Sequence, residues 1–123
     1  MANLTAPRDT RERHPKRIEI AAGAAVQAGA MVAINEADGL AYPATAAAGY
    51  NVRGRAARGA ATGEVVQIDA GCYNYDAEGT ITVAAIGKTA YVVDDHTVTL
   101  TSGAAVAGII FDVTAEGVWV NII

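Results

Sequence analysis

Residues 86–103 read IGKTAYVVDDHTVTLTSG, and this stretch decides the class of fold. In its first half, Tyr91 and Val93 share one face of an extended strand. In its second half, apolar residues at positions 98 and 100 alternate with threonines at positions 97, 99 and 101. The Asp-Asp-His run at residues 94–96 lies between the halves and has the polar side chains typical of a turn. A two-residue period on both sides of a polar break predicts a β-hairpin.

The composition of the whole chain extends this prediction from one hairpin to the fold. The 123 residues include 13 Val, 10 Ile and 11 Thr but only 3 Leu. β-Branched residues favour strands and are stiff in helices, whereas Leu is the usual filler of helical cores. The 13 glycines are spread along the chain, as expected for many turns. We therefore predict an all-β fold with little helix, in one domain.

Alternating segments recur at intervals typical of a compact β-barrel or β-sandwich, and the choice between these two stays open. The turn at residues 35–39 ends the second strand, Pro43 ends a short return strand or places it on an edge, and Gly71 marks a bulge or bend. Residues 80–85 (TITVAA) begin another short segment, and residues 44–50 (ATAAAGY) are either a loop or a single helical turn. The expected strand segments are RIEIAA (17–22), AMVAIN (30–35), LAYPAT (40–45), YNVRGRAAR (50–58), GEVVQIDAG (63–71), CYNYDAEG (72–79), the two halves of the hairpin, AVAGIIFDVT (105–114) and GVWVNII (117–123).

The first seventeen residues differ from the rest in charge. They carry five basic and two acidic side chains, a balance of +3, and the remainder carries four basic and eleven acidic, a balance of −7. With Pro7, Pro15 and no periodicity, residues 1–17 are expected to form an extended basic arm, mobile in the isolated protein, and residues 18–123 a single β-rich domain. The arm indicates a partner, and its candidate binding residues are Arg8, Arg11, Arg13, His14, Lys16 and Arg17.

No group of residues matches a catalytic or metal-binding motif. His14 lies in the arm and His96 at the hairpin tip, neither with a second ligand at metal spacing, and we interpret residues 94–96 as a solvated turn. The GAATGE run at residues 59–64 lacks the Lys-Ser/Thr of a phosphate-binding loop and precedes a strand. Ser102 has no nucleophile-elbow context. We predict no enzymatic activity, no cofactor, no metal and no small-molecule substrate.

Cysteine content and hydropathy bound the environment of the protein. Cys72 is the only cysteine, so no internal disulfide is expected, and we interpret it as a core or near-core residue. The N-terminus has no apolar run typical of a secretory signal. Residues 20–34 are rich in alanine, interrupted by Gly and Gln, and too short to span a bilayer. We expect neither secretion by a signal peptide nor insertion in a membrane.

Three residues outside the arm are candidates for contacts between subunits. On a regular strand, Arg53 and Arg55 would share one face, either as a solvated surface or as a patch for an acidic partner or an inter-subunit ion pair. Trp119 alternates with Val118 and Val120, which indicates an anchor either in the core or at a subunit interface. The sequence leaves both pairs of alternatives open.

The order of these segments resembles that of the head-decoration, or capsid cement, proteins of tailed bacteriophages, a family of small β-rich phage domains, many without an assigned function. The resemblance covers residues 17–123 and is carried by AGAMVAIN, VRGRAAR followed by GEVVQIDAGCY, GKTAYVVDDHTVTLT, AGIIFDV and the terminal GVWVNI. It implies a β-tulip-like fold that binds the exterior of the assembled head. Further implications are homotrimers at three-fold or quasi-three-fold sites, contact with the major capsid protein, capsid stabilisation, and location on the virion after assembly in the host cytoplasm.

The resemblance also implies an N-terminal arm that becomes ordered on the capsid, and residues 1–17 are the matching segment, although their arginine content departs from the more neutral arms of the family. Three other classes remain: an accessory β-barrel of an enzyme complex, a nucleic-acid binder acting through the arm alone, and a glycan- or receptor-binding module on a virion or cell surface. The acidic body argues against nucleic acid. The glycan-binding alternative would use exposed aromatic side chains, for which the candidates are Tyr42, Tyr50, Tyr73, Tyr75 and Tyr91.

Overall fold

Two five-stranded sheets follow one another along the chain in the computed structural model, which describes residue 6 and residues 16–122. The expected all-β class is confirmed. The strands are β1 (Arg17–Ala21), β2 (Met31–Asn35), β3 (Ala41–Pro43), β4 (Tyr50–Ala56), β5 (Val65–Asp69), β6 (Gly71–Ala77), β7 (Thr89–Val92), β8 (Thr97–Thr99), β9 (Val106–Thr114) and β10 (Gly117–Ile122).

The first sheet is antiparallel, has the strand order β1-β5-β4-β2-β3 and is curled almost to closure. A bridge between Ala22 and Ala41 joins the end of β1 to β3, and the Gly23 N–H donates to the Ala41 carbonyl over 2.8 Å. Small side chains let the two edges approach this closely. The buried residues inside the curl are Ala22, Val26, Ala30, Val32, Ala41, Ala56, Ala60, Val66 and Ile68.

The second sheet is a closed barrel with the strand order β10-β6-β8-β7-β9. The predicted hairpin is confirmed: β7 pairs antiparallel with β8, with Tyr91 opposite Thr99 and Val92 opposite Val98. Alternation directs Val92 and Val98 into the barrel, where both are buried. Closure comes from a parallel pairing of β6 with β8, which leaves no free edge for another strand to pair with.

A bulge in β4 corrects the prediction that Arg53 and Arg55 share a face. Val32 lies opposite Gly54 and Ala33 lies opposite Val52, so Arg53 is an extra residue in its strand. The shift exposes Arg53 and leaves Arg55 half-buried. Gly54 is required because a Cβ at this position would lie 2.3 Å from the Asp69 carbonyl oxygen on β5.

At three further segments the structure decides or corrects what the sequence predicted. Residues 80–85 form no strand and instead contain a single 3-10 turn, Val83–Ala85. Residues 44–49 form a loop without a helical turn. β1 begins at Arg17, so this residue belongs to the body, which corrects its predicted place in the arm.

The two sheets meet along a buried seam. Met31 and Ala33 of the first sheet, with Ala44 just after β3, pack in the same apolar cluster as the barrel residues Val98 and Val120. Because this cluster spans both sheets, their packing is coupled. Within the part of the chain that the structure describes, no helix has the length and hydropathy needed to cross a membrane.

Candidate protein-binding face

Strand β9 exposes an apolar surface on the outside of the barrel. Ala107 and Ile110 are buried in the barrel, whereas Val106 and Ile109 are 51% and 40% exposed. Simple alternation cannot give this pattern, because the members of each pair are three residues apart. A bulge against β7 gives it: Tyr91 lies opposite Val106 while Ala90 lies opposite Gly108, so Ala107 is an extra residue in its strand. Phe111 follows at a second bulge, because Trp119 lies opposite Asp112 while Val120 lies opposite Ile110. This position leaves Phe111 without a cross-strand partner and 65% exposed.

The 3-10 turn adds two more apolar side chains beside the same strand. Gly87 N–H donates to the Ile110 carbonyl over 2.8 Å, and Ile110 N–H donates to the Lys88 carbonyl over 2.9 Å, so the end of the turn is held against β9. Val83 and Ile86 are 64% and 47% exposed. We call Val83, Ile86, Val106, Ile109 and Phe111 the β9 face.

The β9 face concentrates nearly all of the large exposed apolar side chains of the described residues. The sixth such residue, Val65, is 56% exposed and lies on β5 in the other sheet. Single exposed apolar residues are ordinary on protein surfaces, whereas contiguous groups mark sites of protein association. The clustering makes this face the candidate functional site.

A groove of about 420 Å³ lies beside the β9 face, where the barrel meets the first sheet. Val52 comes from β4, Tyr91 from β7 and Ile122 from β10, and Thr89 and Asn121 add polar side chains. A mostly apolar lining with few polar groups accepts apolar groups and offers few hydrogen bonds to orient them.

Trp119 lies on the outside of the barrel, half-buried, and is not a core residue. Its indole Nε1 donates to Thr114 Oγ1 over 2.9 Å, and its cross-strand neighbours are Asn74 and Asp112. Trp119 and Asn121 are two residues apart on β10 and share the outer side, so Trp119 borders the groove region. This position excludes the core role that the sequence left open, and the interface role of Trp119 stays a prediction.

The predicted arm residues divide into three groups. Arg8, Arg11, Arg13 and His14 lie outside the described residues. Lys16 is exposed, and its carbonyl accepts the Ala70 N–H over 3.0 Å. The residue after Ala70, Gly71, pairs with Ile122, which lines the groove. Lys16 therefore lies at the junction of β5 and β6, where the first sheet leads into the barrel.

Arg17 is held in an ion pair on the first sheet. Its guanidinium donates from Nε to Asp69 Oδ1 over 2.6 Å and from Nη2 to Asp69 Oδ2 over 2.9 Å, a two-point contact across β1 and β5. Asp69 is also paired in register with Arg55, whose guanidinium lies 4.3 Å from the ring centre of Tyr73. These contacts fix both arginines within the body, and Arg53 is the exposed member of the predicted pair.

The ion pair makes a testable prediction about pH. The hydrogen bond from Arg17 lowers the pKa of Asp69 in the folded protein. In the unfolded chain the Asp69 pKa has the ordinary value of about 4, so the ion pair stabilises the fold fully above that pH. The stabilisation is lost as the pH falls through the lower pKa of the folded state. We expect Asp69→Asn to lower the free energy of unfolding by about 1 kcal/mol at neutral pH. Urea unfolding should show the difference between the proteins narrowing in acid; a constant difference would contradict this assignment.

The tyrosines proposed for glycan binding are dispersed. Tyr42 and Tyr50 meet edge to face at 5.6 Å, and the Tyr42 hydroxyl donates to Asp38 over 2.6 Å. Tyr73 lies under Arg55, Tyr75 is buried in the barrel core, and Tyr91 lines the groove. The five side chains do not form one platform.

The hairpin tip is a hydrogen-bonded turn. His96 N–H donates to Asp94 Oδ1 over 3.0 Å, and His96 Nδ1 lies 2.9 Å from Asp95 Oδ1. A shallow cleft lies between this turn and residues 27–30. The sequence predicted the turn but not its contact with the first sheet.

Sequence reasoning missed the β9 face, although one signal was present. Ile109, Ile110 and Phe111 are three consecutive apolar residues, and a strand with one buried side cannot bury all three. Such a run predicts either a strand buried on both sides or an exposed apolar residue.

The chain matches no protein-family model, no curated protein and no solved structure.

Proposed function

We propose that the protein is a capsid decoration protein that binds the exterior of an assembled phage head and stabilises it. The observation that carries the proposal is the β9 face, five exposed apolar side chains on one strand of a closed barrel and on the 3-10 turn beside it. A decoration protein needs a rigid body, a surface for a large partner and many copies, and it needs no reactive group. The partner is the major capsid protein, and the location is the outside of the virion.

Apolar burial supplies the affinity of each copy. Phe111 alone exposes 65% of its side chain. Burying the exposed part of an aromatic side chain contributes about 2–4 kcal/mol at the usual coefficient per unit area. The groove beside it accepts apolar side chains, with Thr89 and Asn121 available to orient them. Because the barrel is closed, this contact relies on side chains and not on an added strand.

The basic arm adds a second contact. It leads into the body at Lys16, which is bonded to Ala70 between the two sheets, and its sequence carries Arg8, Arg11 and Arg13. On an acidic capsid surface these charges steer the encounter, and their contribution falls with salt. As homotrimers, three faces and three arms bind together, and avidity multiplies individually weak contacts.

Co-sedimentation with purified heads tests the proposal. We expect the full chain to bind heads saturably. A truncated chain that starts at residue 16 should keep its fold and bind more weakly, with less dependence on salt. Equal binding by the two chains would remove the arm from the mechanism. Failure of the full chain to bind any head, together with binding on a glycan array, would replace the proposal with the glycan-binding alternative.

A further inference from the structure

One backbone hydrogen bond joins the two sheets at a distance from the chain connection. Met31 N–H, on β2 of the first sheet, donates over 2.8 Å to the carbonyl of Asp95, in the turn between β7 and β8 of the barrel. Within residues 16–122, no other backbone N–H of one sheet donates to a backbone carbonyl of the other. Met31 has no exposed surface. A buried N–H that loses its acceptor has no water to replace it. The position of the Asp95 carbonyl therefore controls how firmly the seam is closed at this end.

The turn that presents this carbonyl is built around His96. Asp76 N–H on β6 donates to the His96 carbonyl over 2.9 Å, and His96 N–H donates to Asp94 Oδ1 over 3.0 Å. The imidazole Nδ1 lies 2.9 Å from Asp95 Oδ1 and 3.1 Å from Asp94 Oδ1. The ring thus lies between the two carboxylates of its own turn.

We propose that the turn at residues 94–96 is a pH-responsive clasp between the two sheets, closed when His96 is protonated and loosened when it is neutral. The imidazolium bridges Asp94 and Asp95 and holds the Asp95 carbonyl on Met31. The neutral ring has no positive charge to offset the repulsion between the two carboxylates. This inference is independent of the proposed capsid role.

The charged groups around the ring set the direction of the response. Asp94 and Asp95 face it from the turn and Asp76 from β6, and residues 27–30 across the cleft carry no titratable side chain. The hydrogen bond to Asp95 and the charges of Asp94, Asp95 and Asp76 raise the pKa of His96. Since the folded pKa is raised, the clasp is fully closed below about pH 6.5 and opens as pH rises through the higher folded value.

Amide hydrogen exchange tests the clasp directly. NMR protection factors, corrected for the intrinsic exchange rate, should be measured for Met31 at about pH 5.5 and about pH 8, on either side of the ordinary histidine pKa. We expect the protection of Met31 to fall by about threefold or more at the higher pH. The amide of Ile110, which donates to Lys88 inside the barrel, is the reference and should change less.

Two variants separate His96 from other titrating groups. In His96→Gln the difference between the two pH values should disappear, and in His14→Gln, which removes the other histidine, it should persist. The imidazole signals of His96 should also titrate above about pH 6.5, the ordinary histidine pKa. Unchanged Met31 protection in the unmodified chain, persistence of its pH dependence in His96→Gln, or a His96 pKa at or below about 6.5 would overturn the inference.

Discussion

Replacement of Gly54 by alanine is expected to lower the free energy of unfolding by about 3 kcal/mol. The added Cβ would lie 2.3 Å from the Asp69 carbonyl oxygen and 2.6 Å from its carbon. Both are backbone atoms of the neighbouring strand, which cannot rotate away as a side chain does. Relief requires β4 and β5 to separate next to the Arg17–Asp69 ion pair, so packing and pairing are lost together.

Gly103→Ala is the matched control for Gly54→Ala. A Cβ at Gly103 meets nothing within 4 Å, and its backbone is not in the left-handed region. We expect it to change stability by no more than about 0.5 kcal/mol. Urea unfolding followed by circular dichroism measures both variants. Similar midpoints for the two would show that the sheet accommodates the methyl group and that Gly54 is not required by close approach.

The local sequence pattern was sufficient to predict the strands, but it did not predict the bulge next to Gly54. Two-residue alternation places nearly every strand, because alternation follows from burying one side of an extended chain. The bulge at Arg53 depends instead on how β4 meets β2 in three dimensions, so alternation misplaced Arg53 relative to Arg55. Barrel closure depends on the parallel pairing of Asp76 with Thr97, which are far apart in sequence and connected by no hairpin.

The candidate site divides in the same way. The interface interpretation of Trp119 was one of two available, since an alternating aromatic fits either side of a sheet, and only the register of β10 with its neighbours places it outside. Arg17 was assigned to the arm because of its charge. Its partner Asp69 is 52 residues away, so no local pattern indicated the ion pair. Sequence patterns carry composition and periodicity, whereas a contiguous surface is created by pairing between distant segments.

Replacement of Phe111 by aspartate is expected to weaken head binding by about 100-fold. Loss of the buried aromatic removes about 2–4 kcal/mol, and each 1.4 kcal/mol corresponds to a factor of about ten in affinity. The new carboxylate would also have to leave water on binding. Because Phe111 is 65% exposed and lies at a bulge, the isolated variant should fold normally. Binding to heads at several protein concentrations gives the affinity, and circular dichroism checks the fold.

Val65→Asp makes the same kind of change at a different place. Val65 is 56% exposed on the first sheet, so it matches Phe111 in character but lies outside the β9 face. We expect it to bind heads as the unmodified chain does.

Light scattering of the same variants distinguishes a contact between copies from a contact with the capsid. If the β9 face joins copies of the chain, Phe111→Asp should have a lower molecular mass in solution than the unmodified protein. If the face contacts only the capsid, the molecular mass should be unchanged. Equal head binding by both variants would show that the apolar surface on β9 is not the contact on which the proposed function depends.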